Sequence, residues 1–160
     1  MNRREAIVAL SALVVCPAAH AAEAPDLPLA RNFASDARLA REKRIPFLIL
    51  FSLPRCPYCS EVRRSHLLPM LRSPESSVLA LIRQINLGAD DRIVGFDGKP
   101  TTHDAVARAH GVRAAPEVAF WDSRGRPVAD PLKGMLLPDF YAAYLEAALA
   151  TARARVAESG

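Results

Sequence analysis

Two cysteines separated by two residues, Cys56-Pro57-Tyr58-Cys59, are the side chains in this sequence best spaced to do chemistry together. At that spacing two sulfurs can close a disulfide, or act one after the other on a third sulfur. The reacting species is the thiolate, and an ordinary cysteine ionises near pH 8.5. A sulfur at a helix N-terminus ionises more readily, because unpaired N–H groups and the helix dipole stabilise the anion. Pro57 suits the first turn of a helix, where its missing N–H costs nothing. A helix is therefore expected to begin between the cysteines, with Cys56 at its tip and Cys59 one turn inward and more buried. This reading makes Cys56 the attacking nucleophile and Cys59 the resolving thiol. Arg55, beside Cys56, is a candidate for tuning its pKa. Pro57 and Tyr58 are candidates for substrate contact, although Tyr58 could equally be exposed simply because it sits at a helix tip. A C-x-x-C pair is also half of many zinc sites. As a purely structural bridge it closes too short a loop to stabilise much.

The compartment bears on that chemistry. The chain has 160 residues, three cysteines and a net charge of +4. Its length suits one domain with a real core, and its 51% hydrophobic content marks it as globular. The mild positive charge comes with no long Lys/Arg run, so no nucleic-acid-binding stripe is expected. The amino end has the form of an export signal: Arg3 and Arg4, an apolar run from Ala6 to Val15, and Ala19-His20-Ala21 as a cleavage site. Residues 1–21 read as a signal peptide cleaved after Ala21, and the apolar run is too short for a spanning helix. Three alternatives compete there. One is lipidation at Cys16, against which bulky Val15 argues. Another is twin-arginine export through Arg3-Arg4, and the third is an uncleaved membrane anchor. Cleavage would leave Cys56 and Cys59 as the remaining cysteines, in an oxidising compartment where disulfides persist.

The elements that must position the pair are legible by period and punctuation. Residues 22–32, with Pro25 and Pro28, read as an extended leader, and residues 33–155 as the domain. Phe33 to Arg44 is a helical stretch stopped by Pro46. Phe47-Leu48-Ile49-Leu50-Phe51 is apolar on both faces, which implies a central strand, and it runs through Ser52 to Arg55 into the cysteines. The following helix is expected to be kinked or ended by Pro69. Val78 to Leu87 reads as a strand, Gly88 to Pro100 as a loop or hairpin, and Thr101 to His110 as a helix stopped by Gly111. Glu117 to Asp122 and Val128 to Gly134 read as strands joined by a Ser123-Arg124-Gly125-Arg126 turn. A last helix starts at Pro138-Asp139. This order implies an α/β fold, a mixed four- to five-stranded sheet with helices on both faces.

Several residues have plain readings. His66, two turns past Cys59, suits a surface or packing role. His103 and His110 could share a solvated helix face. Neighbours in a strand point to opposite faces, so of Phe120 and Trp121 one is expected in the core and the other packed under a helix. Glu61, Arg63 and Arg64 read as the solvated side of their helix.

The strand–Cys-Pro-Tyr-Cys–helix unit resembles the thioredoxin superfamily. So does Gly111-Val112-Arg113-Ala114-Ala115-Pro116-Glu117-Val118-Ala119-Phe120 with the Asp122 to Arg126 turn behind it. The resemblance implies a thioredoxin fold and a cis Ala115–Pro116 bond facing the redox pair. It also implies that the backbone of Ala115 pairs with an extended stretch of substrate protein, which is strand addition. The loop Ile93 to Thr102 is similar to an insertion in exported thioredoxin-like proteins linked to bacterial sulfur oxidation (the SoxW-like group) and cytochrome maturation. The chain departs from the family in places. Leu50 stands where thioredoxins bury an acid, Arg55 where they carry Trp, and Glu117 where Thr is usual. A carboxylate near the pair would raise the thiol pKa, so Glu117 is a second tuning candidate. Cys-Pro-Tyr-Cys is typical of glutaredoxins, but the Gly-Gly-Asp-type element that holds glutathione is missing.

The expected activity is therefore exchange of disulfides with protein partners, in the periplasm and in the reducing direction, fed by a membrane electron donor. The redox-active disulfide itself is the only cofactor expected, with no small-molecule cofactor, metal or nucleic acid. The alternative is a copper-binding metallochaperone of the same fold, because soft thiolates suit Cu(I). Such proteins usually space their cysteines by three residues and add a ligand histidine.

Overall fold

The computed structural model describes residues 26–135 and 137–159. The expected signal peptide, its cleavage point and the alternatives at Cys16 lie outside the described residues. Among the described residues no helix is long and apolar enough to cross a membrane.

The apolar run after Pro46 forms β1, Phe47–Ser52, and all six of its residues are buried. It lies inside a four-stranded sheet of order β2-β1-β5-β6, with β2 Leu81–Asn86, β5 Glu117–Trp121 and β6 Pro127–Lys133. β1 runs parallel to β2 and antiparallel to β5, and β5 runs antiparallel to β6. The mixed sheet is covered on both faces. Leu48 and Leu50 join an aliphatic core with Val62, Leu67, Ile82, Val118, Phe120, Leu145 and Leu149. Phe47, Ile49 and Phe51 join a second core with Phe33, Ala37, Ile85, Val106, Ala119 and Trp121. Phe120 and Trp121 are thus both core residues, one in each core. A strand buried on two faces has room for both.

Helix α1, Phe33–Lys43, begins at Asn32, whose side chain accepts the Ser35 N–H, and ends at Arg44 in the left-handed region. After β1 the chain winds into α2, Pro57–Glu61, a π-helical turn Val62–Leu67, and α3, Leu68–Arg72. Pro69 does not end this helix. Its ring crowds the carbonyl four residues back and it lacks an N–H; a wider turn just upstream accommodates both effects.

Two boundaries shift, and the loop-or-hairpin alternative after Gly88 resolves to a hairpin. Val78 does not begin a strand: Ser76–Leu79 is a short helix, α4, and β2 starts at Leu81. The alternation read across Leu79 and Leu81 thus spans two different elements. The stretch after Gly88 forms a hairpin, β3 Arg92–Val94 and β4 Pro100–Thr102, as a separate two-stranded sheet. Helix α5, His103–Ala109, therefore opens later than expected, with the Thr102 side chain accepting the Ala105 N–H at its tip. Between β3 and β4, Phe96 stacks on Phe33 at 4.5 Å and sets its edge against Phe47 and Trp121. Gly125, in the turn between β5 and β6, has φ +75°, and a Cβ there would lie 2.8 Å from the Phe96 ring. Only glycine fits both constraints.

Residues 27–32 of the extended leader are docked on the domain. The Ala30 N–H donates to the Gln84 carbonyl, and the Gln84 N–H to the Pro28 carbonyl, each at 2.8 Å, so the segment bridges the outer edge of β2 at Gln84 before the Arg31 carbonyl accepts the Val94 N–H of β3 at 2.9 Å. Leu27 enters the aliphatic core and Ala30 the aromatic one. The last helix, α6, Tyr141–Glu158, follows a 3-10 turn at Pro138–Phe140 and buries Tyr141, Leu145, Leu149 and Ala152.

Candidate functional site

The carboxyl end of β1 delivers the chain through Leu53, Pro54 and Arg55 to the two cysteines. Arg55 has φ 54°, in the left-handed region that a non-glycine residue rarely adopts. This turn reverses the backbone from strand into helix. Pro57 occupies the first turn of α2, and Cys56 caps it from an extended conformation. Cys56 and Cys59 form a disulfide with their Cα atoms 5.2 Å apart. The Cys59 N–H also donates to the Cys56 sulfur at 3.1 Å. Cys56 is half-buried, Cys59 is fully buried, and Tyr58 between them is 62% exposed. A partner sulfur can approach Cys56 and has no direct path to Cys59. When the disulfide opens, the helix-end N–H remains aimed at the outer sulfur, where it favours a thiolate.

The second motif lies at the same end of the sheet. β5 begins at Glu117, which pairs with Phe51 near the end of β1, so the preceding Ala115 and Pro116 lie beside the strand that leads to the cysteines. The Ala115–Pro116 peptide is cis. Pro116 is buried, and its carbonyl accepts the Gly134 N–H at 2.8 Å. Ala115 is half-buried, and among the described residues nothing hydrogen-bonds to its backbone. Leu53 and Tyr58 add exposed apolar surface around the pair.

Glu117 is only 8% exposed. Burial pushes its carboxyl pKa up, and the charge of Lys133 opposes the rise. By strand alternation Glu117 shares the sheet face of Ala119 and Trp121, away from the redox helix. The structure thus brings Cys56, Cys59, Pro57 and Tyr58 together, and sets Arg55 and Ala115 near them at one sheet end. Glu117 is left on the other face.

Two side chains read as solvated are not. Arg63 has only 21% of its side chain exposed. Its Nε donates to Gln84 Oε1 at 3.0 Å and its Nη2 to Ser52 Oγ at 3.2 Å. The Asp26 carboxylate stands 3.3 Å from that Nε. The amide of Gln84 in turn donates to Asn86 Oδ1 at 2.8 Å. The only hint of this in the sequence was an arginine four residues after a buried cysteine. His103 is 1% exposed. The Asn86 N–H donates to its Nδ1 at 3.2 Å, so its Nε2 carries the proton and donates to the Ala30 carbonyl at 2.8 Å. It bonds the edge segment to the end of β2 and shares no solvated face with His110. His110 stacks on Trp121 at 3.9 Å, and burial lowers its pKa. His66 packs on Tyr141, with ring centroids 4.8 Å apart. Among the described residues no group of three or more His, Cys, Asp or Glu is placed to hold a metal ion.

A disulfide across the tip of a helix, fed by a central strand of a mixed sheet, defines a thiol–disulfide oxidoreductase. The family model for the thioredoxin-like domain matches residues 33–149, and the chain belongs to that family. No curated protein matches the sequence. Among solved structures the chain is similar to an uncharacterised thioredoxin-like protein of Clostridium perfringens (19% identity, covering 65% of this chain and 71% of that one, TM-score 0.45). It is similar to the periplasmic thioredoxin SoxS of Paracoccus pantotrophus in its reduced form (15% identity, 67% of this chain and 98% of that one, TM-score 0.45). A thioredoxin from Thermus thermophilus is also similar (18% identity, 78% and 85%, TM-score 0.47).

Proposed function

We propose that this protein is exported to the periplasm and there reduces disulfides of partner proteins, with Cys56 as nucleophile and Cys59 as resolving thiol. The observation that carries the reading is the asymmetry of the pair: a reachable sulfur at the helix tip, bonded to one that is fully buried. The Cys56 thiolate attacks a partner disulfide, forms a mixed disulfide and releases one partner sulfur. Cys59 then attacks Cys56 and releases the second. Two electrons pass from the pair to the partner, which leaves as a dithiol with two protons.

The unbonded backbone of Ala115, set by Pro116, receives an extended stretch of the partner by strand addition. Pro57 and Tyr58 form the surface it meets. Arg55 favours the anion at Cys56, and Glu117 acts on the pair only at a distance. The signal-like sequence of residues 1–21 supports an oxidising compartment, in which a membrane electron donor returns the pair to the dithiol. The pair needs no cofactor beyond its own disulfide.

The test is a redox equilibrium of residues 22–160 against defined thiol buffers, scoring free Cys56 and Cys59. A potential below roughly −240 mV is the expected result for a reductase with a dedicated electron supply. One above roughly −150 mV would make the protein an oxidant instead. A pair that does not cycle would remove the exchange reading and bring metal delivery forward.

A further inference from the structure

We propose that Arg63 is the charged group that sets the ionisation of Cys59, and through it the redox potential of the pair. The proposal rests on the exchange reading above and deepens it.

Cys59, in α2, and Arg63, near the start of the π-helical turn that continues it, are four residues apart. That spacing puts side chains on the same face, with Cβ atoms about 5–6 Å apart. The shared face looks onto the sheet. Cys59 is fully buried there, and Arg63 reaches Ser52 at the end of β1 and Gln84 in β2. Ser52 and Gln84 point to the same sheet face as Leu48, Leu50 and Ile82, the face covered by the redox helix.

The other elements packed there bring little charge. From β1 the face carries Leu50 and Ser52, both buried and neither ionisable. From β2 it carries Gln84, whose amide reaches the neighbouring Asn86. Asp26, ahead of the edge segment, pairs with Arg63 but is 68% exposed, so water screens it. Glu117 belongs to the opposite face. Of the groups named on this face, the guanidinium is the one that is both charged and substantially buried, and it sits one helical turn from Cys59.

A buried thiol without charged neighbours ionises less readily than an exposed one. A cation fixed close to it reverses that. In the resolving step Cys59 must be a thiolate to attack Cys56. When the disulfide is reduced, the sulfur of Cys59 leaves as a thiolate and the pair takes up two electrons. Arg63 favours the anion in both cases. It speeds resolution without a buried base, a role that Leu50 could not fill. By stabilising the reduced form, it also makes the pair more oxidising than it would be alone. Arg63 touches no substrate; it is a positioning residue acting through Cys59.

The experiment measures the equilibrium constant of the pair against glutathione, and the pH dependence of thiolate absorbance, for wild type, Arg63→Gln and Arg63→Lys. Arg63→Gln is expected to shift the equilibrium about tenfold toward the disulfide, which is about 30 mV more reducing for a two-electron couple. Arg63→Lys, which keeps the charge, is expected to restore most of the shift. If wild type cycles and Arg63→Gln lies within twofold of it, the proposal fails while the exchange reading stands. If wild type does not cycle, both fail. A further measurement does not depend on the Arg63 variants folding. In Cys56→Ala the lone Cys59 is expected to titrate below the ordinary thiol value of about 8.5; titration at or above it would overturn the proposal.

Discussion

The two ends of the central sheet are built on opposite plans. At the end where β5 turns into β6, Asp122 is 6% exposed and its carboxylate is fully engaged. It accepts the backbone N–H groups of Arg124 and Arg126 at 2.8 and 2.9 Å and the Arg126 side chain at 2.7 Å. Gly125 fills the one position where a Cβ would strike Phe96. At the other end Arg55 holds a left-handed backbone, Ala115 has no backbone partner among the described residues, and Leu53 and Tyr58 are exposed. The turn carboxylate is fully paired at the first, closed end, while at the other, open end the Ala115 backbone has no partner among the described residues. A left-handed residue occurs at both ends, Arg44 and Arg55, so the contrast lies in hydrogen bonding and exposure.

The sharpest way to break this contrast is at the cysteines. Cys59→Ser is expected to accumulate mixed disulfides with partner proteins through Cys56, and Cys56→Ser to accumulate none. Non-reducing gels with thiol mapping read this directly, and the reverse pattern would exchange the roles assigned to the two sulfurs. Removing a bridge across so short a loop should leave the unfolding midpoint little changed.

The closed end should answer in the opposite currency, with stability lost and chemistry kept. Burial alone would push the Asp122 carboxyl up, but the N–H groups of Arg126 and Arg124 and the Arg126 charge outweigh it, so the pKa is lowered. A lowered carboxyl pKa contributes stability above the ordinary aspartate range, and that stability is lost as pH falls through the folded value. Asp122→Ala is expected to cost about 2 kcal/mol at neutral pH. The gap from wild type should narrow in acid, and the redox potential should not move. Denaturant unfolding at two pH values checks it, and a changed potential would show that the two ends are coupled.

Glu117 gives the smallest and most discriminating test, because it lies near the open end but on the face away from the redox helix. Its pKa is raised by burial, with Lys133 opposing. A raised carboxyl pKa means that the folded state holds its proton to higher pH than the unfolded one, so stability falls as pH rises between the two values. Glu117→Gln is expected to gain less than about 1 kcal/mol at neutral pH, with no gain below the ordinary glutamate range. A pH series of thermal midpoints reads it. A large shift in redox potential in the same variant would return Glu117 to the site.

Much of this was legible beforehand where a residue type has few options. Five consecutive apolar residues had to be an inner strand. Pro57 had to open a helix at the cysteines, and Ser123-Arg124-Gly125-Arg126 had to turn. Arg63 and His103 escape a reading by residue type, because polarity alone points to water while both are buried. Their burial depends on partners from distant parts of the chain: Ser52 and Gln84 for one, Ala30 and Asn86 for the other. The segment around Phe96 reads from sequence as loop or hairpin alike, because its strands are only three residues long and β3 is held otherwise by a single bridge from Asn32, far back in the chain. The π turn had no local mark except Pro69 itself.

The segment along β2 also bears on how the protein comes to maturity. A sheet whose outer strand is bare is a template for the next chain that drifts past, and residues 28–30 cap the middle of the outer strand, at Gln84, with the protein's own backbone. That cover lies immediately after the stretch expected to steer export. Any tether that keeps the amino end away from β2 therefore leaves an adhesive edge open, whatever the state of the cysteines.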